Sequence, residues 1–283
     1  MKTMLIPVDF TATSNNAVSY AVEWAKAYDY KRIILLKTLY DSMFDSLIPS
    51  VDYVRVNQDY MVKEREEATQ QLKAMCRELI AKVEPDIKVS LAVSELPLLR
   101  SILEMIEDEK PELIVAGSDN YNYSSESFIA GNVIDIARTS PVRTLIVPSH
   151  YQYQPVQQAL VPVDFNTINS LNKLHRYQTA TPQWREKKLL VLNVDPKERY
   201  LHPDEEFKNA ENALHQYLQN FPHEVYYSNN KNIINGIIDF SRGHEAQLII
   251  ALPGKHSFLY SLTHKSISEA LYRNAKRPVL ILK

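Results

Sequence analysis

Two carboxylates stand where an apolar run stops. Met4-Leu5-Ile6-Pro7-Val8-Asp9-Phe10 ends on Asp9, and Ala159-Leu160-Val161-Pro162-Val163-Asp164-Phe165 ends on Asp164. An acid at the end of a buried strand can accept a hydrogen bond from a ribose hydroxyl or an adenine amine. It can equally turn the strand into the next helix, as short acids do routinely, and both roles stay open at this stage. Gly117 and Gly254 follow two further apolar runs. A glycine-bearing loop that feeds a helix can offer backbone N–H groups to phosphate. Together these positions make a nucleotide-shaped arrangement. Only five glycines occur, at 117, 131, 236, 243 and 254, so neither G-x-G-x-x-G nor G-x-x-x-x-G-K-[ST] can be written, which removes a classical dinucleotide fold and a Walker-type NTPase.

Other chemistries find little support. The eight histidines form no i, i+3 or i, i+4 pair, so no helical metal ligand set is implied. The single cysteine, Cys76, lies in a helical stretch beside Met75 and Leu79 and reads as a small buried hydrophobe. One cysteine excludes a disulfide framework and a thiolate cluster, and suits a reducing, cytoplasmic setting. G-x-S-x-G is missing, and no Ser-His-Asp or Cys-His constellation has sequence support. Lys63–Glu67 (KEREE) reads as a solvated helix face, and Arg273, Lys276 and Arg277 as cations at a helix C-terminus. Lys+Arg 32 against Asp+Glu 34 leaves a net charge of −2, which argues against nucleic acid or an anionic membrane as partner. The first residues, MKTMLIPVDF, carry no signal-peptide pattern, and no apolar run is long enough to span a bilayer.

The elements that would position the acids come in two similar sets. Beyond the two acid-terminated runs, Leu113-Ile114-Val115-Ala116 is answered by Gln247-Leu248-Ile249-Ile250, and Arg143-Thr144-Leu145-Ile146-Val147 by Arg277-Pro278-Val279-Leu280-Ile281. This self-similarity, over about 140 residues, marks an internal duplication and divides the chain into domains at 1–149 and 156–283, the second shorter in its middle. In the first copy strands are read at 4–9, 32–39, 87–93, 113–116 and 144–147; Thr13-x-x-Asn16 opens a first helix carrying Ala17, Ala21 and Ala25, further helices lie near 59–82, 96–107 and 131–139, and 40–58 is a loop. The second copy places strands at 159–164, 188–194, 223–228, 247–251 and 278–282, and helices near 205–219, 232–241 and 264–274. Its first helix, within Asn166–Lys187, should be short or broken, because it lacks the stripe of Ala17, Ala21 and Ala25 and contains Pro182. Alternating strands and helices of this length imply right-handed crossovers and a parallel sheet covered on both faces. The fold class is therefore α/β: two tandem Rossmann-like α/β/α sandwich domains, each with a mainly parallel five-stranded sheet. Ligands of such sheets sit beyond the carboxyl ends of the strands, where strand order reverses.

The VDF strand, the helix opening on Ser, Thr and Asn, and IVAGSDN…AGNVIDIARTSPVRTLIVP together resemble the universal stress protein family, as a tandem two-domain member. That resemblance implies a G-x2-G-x9-G-[ST] motif between the fourth strand and fourth helix in members that bind ATP. Here the first half reads Gly117, Ser118, Asp119, Asn120, ten residues, then Gly131, Asn132; the second reads Ala251, Leu252, Pro253, Gly254, ten residues, then Lys265, Ser266. Neither is complete. The resemblance carries over Pro7, Val8, Asp9, Gly117, Asn120, Gly131 and Asn132 as first-half nucleotide positions, and Asp164, Gly254, Lys265 and Ser266 as second-half ones. Asn120 brings a Cβ where backbone should approach phosphate closely, and Pro253 removes a donor. Two function classes follow: a non-enzymatic stress-response binding or interaction module with degenerate sites, or an ATP/AMP sensor or slow ATP hydrolase using the first half. No metal and no certain cofactor is implied. The halves are expected to form an intramolecular pseudo-dimer through their fifth strands, with a homodimer as a further possibility.

Overall fold

In a computed structural model of the chain, residues 1–40, 47–49, 54–56, 58–119, 127–253 and 276–283 are described. Ten strands join in one sheet. The first five are β1 (Thr3–Pro7), β2 (Arg32–Thr38), β5 (Lys88–Ser94), β6 (Leu113–Ser118) and β7 (Arg143–Pro148); the second five are β8 (Gln158–Val163), β9 (Lys188–Val194), β10 (His223–Ser228), β11 (Leu248–Ala251) and β12 (Val279–Ile281). A small hairpin, β3 (Leu47–Pro49) with β4 (Val54–Val56), lies within the stretch read from sequence as pure loop. The sheet order is β10-β9-β8-β11-β12-β7-β6-β1-β2-β5. Each five-strand set is parallel, and each reverses direction of growth between its first and fourth strands.

The continuous apolar strands are buried on both faces, as parallel strands between helices must be. Met4 and Ile6 point into one core layer and Leu5 into the other. The helices are α1 (Ala12–Tyr28), α2 (Gln58–Ile80), α3 (Leu98–Glu109), α4 (Phe128–Thr139), α5 (Asn172–Ala180), α6 (Glu205–Leu218) and α7 (Ile233–Gly243). Residues of α1, α2, α5 and α6 fill the first layer; residues of α3, α4 and α7 fill the second. The α/β/α sandwich expected from the alternation is the observed fold.

At the centre of the sheet the two sets meet. Strand β12 pairs antiparallel with β7, placing Val279 opposite Ile146, Leu280 opposite Leu145 and Ile281 opposite Thr144. Two edges that would otherwise expose unpaired N–H and C=O groups satisfy each other. An aromatic row crosses the same seam. Tyr20, Trp24 and Tyr28 recur every four residues on α1, and Tyr28 stacks on Trp184 with ring centroids 5.8 Å apart. Trp184 donates its indole N–H to the Tyr177 hydroxyl at 2.9 Å.

The region after β8 departs from the first half as the residues require. Asp164 caps a 3-10 stretch, Phe165–Leu171, that is kinked at Thr167; α5 follows with nine residues, and Pro182 opens a separate 3-10 turn. Proline is tolerated at such a first position because the missing N–H has no intrahelical partner there anyway. The helix foreseen over 264–274 lies outside the described residues.

Candidate functional site

The crevice beyond the carboxyl ends of β1 and β6 is built by three short-range decisions. The chain leaves β1 through Val8, whose N–H donates to the Leu36 carbonyl at 2.8 Å. Phe10 then takes a left-handed backbone conformation, φ 63°, unusual for a bulky residue, and the turn swings directly into α1. Thr11 is the N-cap of that helix, its side chain accepting from the Ser14 N–H.

Asp9 sits between two helix starts. One carboxylate oxygen accepts from the Thr11 hydroxyl at 2.6 Å and the Thr11 N–H at 3.2 Å. The other accepts from the Ser127 hydroxyl at 2.7 Å and the Ile129 N–H at 3.0 Å. Burial pushes this carboxyl upward, but the hydrogen bonds from Thr11, Ser127, Ile129 and Ser14 outweigh it and hold it below its ordinary value. A negative charge against two helix N-termini is favourable, so the site is locally consistent without any ligand.

The fourth helix starts at Phe128, not at Gly131, because Ser127 is an N-cap that accepts from the Ala130 N–H. The consequence reaches the expected phosphate cradle. The amide of Ile129 is taken by Asp9, that of Ala130 by the Ser127 hydroxyl, and that of Gly131 by the Ser127 carbonyl. Asn132 lies one turn inside the helix, and its amide group donates to the Phe128 carbonyl at 2.9 Å.

The two first-half glycines do different jobs. Gly117 is buried within β6, and a Cβ there would meet the Thr13 carbonyl oxygen at 2.7 Å and the Thr13 methyl at 3.0 Å. It lets the first turn of α1 lie against the strand. Gly131 is exposed, and a Cβ there would meet nothing within 4 Å. Pro7 is the last residue of β1 and, like Val8, is buried. Asn120 lies outside the described residues.

In the second half Asp164 accepts from the Asn166 N–H and from the Asn166 side-chain amide, both at 2.9 Å. Gly254, Lys265 and Ser266 lie outside the described residues, so only Asp164 and Pro253 of that crevice are placed. The Pro253 carbonyl accepts from the Lys173 ammonium.

Over residues 1–148 the chain matches the Universal stress protein family. The chain belongs to that family. No curated protein sequence matches it. Among solved structures it is similar to a universal stress protein from Archaeoglobus fulgidus, with a TM-score of 0.65 at 16% identity, covering 99% of this chain and 98% of that one. A putative universal stress protein from Pseudomonas aeruginosa gives 0.59 at 12% identity, covering 100% and 93%. At such identities the likeness establishes a shared fold across the full length, including the second half.

Within this universal stress protein, sequence reading missed Thr11, Ser14 and Ser127, the groups that hold Asp9. The available signal was Ser127 itself, a good N-cap residue just before the apolar run Phe128-Ile129-Ala130. Tertiary contact also pairs His215 with His223, whose ring nitrogens lie 3.1 Å apart across α6 and β10. Among the described residues no group of three or more His, Cys, Asp or Glu could hold a metal ion, and no helix is long and apolar enough to cross a membrane.

Proposed function

We propose that this chain is a stress-response binding or interaction module, not an enzyme, in which the nucleotide sites of the family have degenerated. It is read as two domains, 1–149 and 156–283, held as an intramolecular pseudo-dimer; the β7–β12 pairing and the Tyr28–Trp184 stack support that reading. The observation that carries it is the state of the first-half crevice. Asp9 is held by hydrogen bonds from Thr11, Ser127, Ile129 and Ser14, and the amides of Ile129, Ala130 and Gly131 have internal acceptors. A phosphate arriving there would have to displace bonds that already satisfy the helix start.

Exposed, uncrowded Gly131 supports a second reading in which ATP or AMP still enters the first half weakly. Asp9 would then face the base or ribose, Pro7, Val8 and Gly117 would form the floor, and Asn120, Gly131 and Asn132 would flank the phosphates. The second-half set, Asp164, Gly254, Lys265 and Ser266, is the poorer candidate, since Pro253 supplies no N–H. Losing two or three charge-assisted phosphate bonds, at about 1.5–3 kcal/mol each, moves a micromolar site into the millimolar range.

Calorimetric titration of ATP and AMP into the purified chain decides between them. Millimolar or unsaturable binding and no phosphate release support the module reading. Micromolar ATP binding that Asp9→Ala abolishes, or steady ATP hydrolysis, overturns it.

A further inference from the structure

Four cations converge where the halves join. Arg143 opens β7 in the first half; Lys173 and Arg176 stand on α5; Lys283 follows β12. With Tyr177 and Leu282 they line a pocket of about 150 Å³. Among the described residues the carboxylate hydrogen-bonded to this group is Glu112, which accepts from Arg143 at 3.2 Å. The guanidinium of Arg143 is fixed on two sides, by Glu112 through one nitrogen and by the Tyr177 ring, whose centroid lies 5.1 Å away. Its other terminal nitrogen, Nη1, is buried and has no hydrogen-bond acceptor among the described residues. Such a donor is costly to leave unmade. The Lys173 ammonium meets the Pro253 and Leu282 carbonyls, and the Lys283 ammonium meets the Ala137 carbonyl at 2.6 Å. An ammonium has three N–H groups, so each lysine keeps donors beyond these contacts. Arg176 is exposed. Burial, together with a neighbouring cation in each case, holds both lysines below their ordinary pKa. Among the described residues the cluster is thus short of negative charge.

We propose that this seam pocket binds a phosphoryl oxyanion, which Arg143, Lys173, Arg176 and Lys283 hold jointly from both halves. The volume suits a single tetrahedral anion and falls well under the roughly 300 Å³ at which pockets for larger organic ligands begin. The anion is either free phosphate or the phosphoryl end of a larger molecule whose remainder stays in solvent. A planar guanidinium with a free edge and flanking ammonium groups is the donor set that phosphate oxygens match. Bound there, the anion ties β7 to α5 and to the end of β12, so it acts on how firmly the halves hold together. The pocket is separate from the Asp9 crevice, which lies at the opposite, carboxyl end of β7's neighbours.

The test is a titration of inorganic phosphate into the full chain at low ionic strength, read by calorimetry and by phosphorus NMR line width, with potassium chloride as the ionic-strength control. Saturable binding beyond the chloride control is expected, together with a rise in melting temperature. Arg176→Gln alters an exposed side chain and should fold normally; it should weaken binding at least tenfold. Lys173→Met, which keeps the stem, should do the same, and Asp9→Ala should leave binding intact. No response beyond chloride overturns the proposal, as does unchanged affinity in both cation variants or loss of binding in Asp9→Ala alone. AMP separates the sources. Competition with phosphate that Arg176→Gln also weakens assigns the pocket to a phosphoryl end, and no competition assigns it to free phosphate.

Discussion

Replacing Asp9 by Asn tests whether the carboxylate is the clasp between α1 and α4. The amide keeps one oxygen and turns its NH2 toward the other pair of donors. A hydroxyl, of Thr11 or Ser127, can rotate to accept from that group; a backbone N–H, of Thr11 or Ile129, cannot. One charge-assisted bond of about 1.5–3 kcal/mol is lost. The favourable charge at two helix starts, worth about 0.3–1 kcal/mol each, goes with it. Because Asp9 is only half-buried, a loss of about 2–3 kcal/mol is expected. That corresponds to roughly 4–12 °C in melting temperature. Urea unfolding followed by the fluorescence of the buried Trp24 and Trp184 measures it. The pH dependence adds a sign. Hydrogen bonds hold the native carboxyl below its ordinary value of 3.8, so its contribution is fully present above that pH and is lost as the pH falls through the lower native value. The gap between wild type and Asp9→Asn should therefore narrow in acid below about pH 3.8. A variant within about 0.5 kcal/mol of wild type at neutral pH, or a gap that ignores pH, refutes the clasp.

Gly117→Ala should cost about 1–3 kcal/mol, because its Cβ meets the Thr13 backbone oxygen at 2.7 Å and α1 must shift; Gly131→Ala, inside a helix and uncrowded, should gain up to about 1 kcal/mol. Denaturant midpoints of the pair check both signs. Leu280→Ala, fully buried opposite Leu145 at the seam, should destabilise by about 2–5 kcal/mol, and hydrogen exchange should show the β7 and β12 amides opening first. Tyr177→Phe removes the acceptor for the Trp184 indole; about 1–3 kcal/mol should be lost, with a shift in tryptophan emission as the optical readout.

Much of the architecture was legible because it rests on local signals. Ile33-Ile34-Leu35-Leu36 reads as a strand covered on both faces, Ala17, Ala21 and Ala25 recur at helical spacing, and Pro182 is excluded from a helix interior. The start of α4 was less legible. Gly131 drew attention as a motif residue, yet the helix begins where Ser127 caps it, three residues earlier than read. The short hairpin within 40–58 was missed because three-residue strands leave almost no periodicity.

Beyond the local turn to Thr11, what Asp9 touches was not legible in the sequence. Its partners Ser127 and Ile129 are more than a hundred positions away, and only closure of the sheet brings the α4 start onto the end of β1. The same holds for Gly117, whose need for no side chain is set by the distance to Thr13, and for the four cations, scattered from 143 to 283, which meet because β12 runs antiparallel to β7. Residue type and spacing determine which segments are strand or helix, since burial and capping act over a few residues. Which polar groups saturate one another is decided by packing between segments, as the hydrogen bonds that Ser127 and Ile129 give Asp9 illustrate.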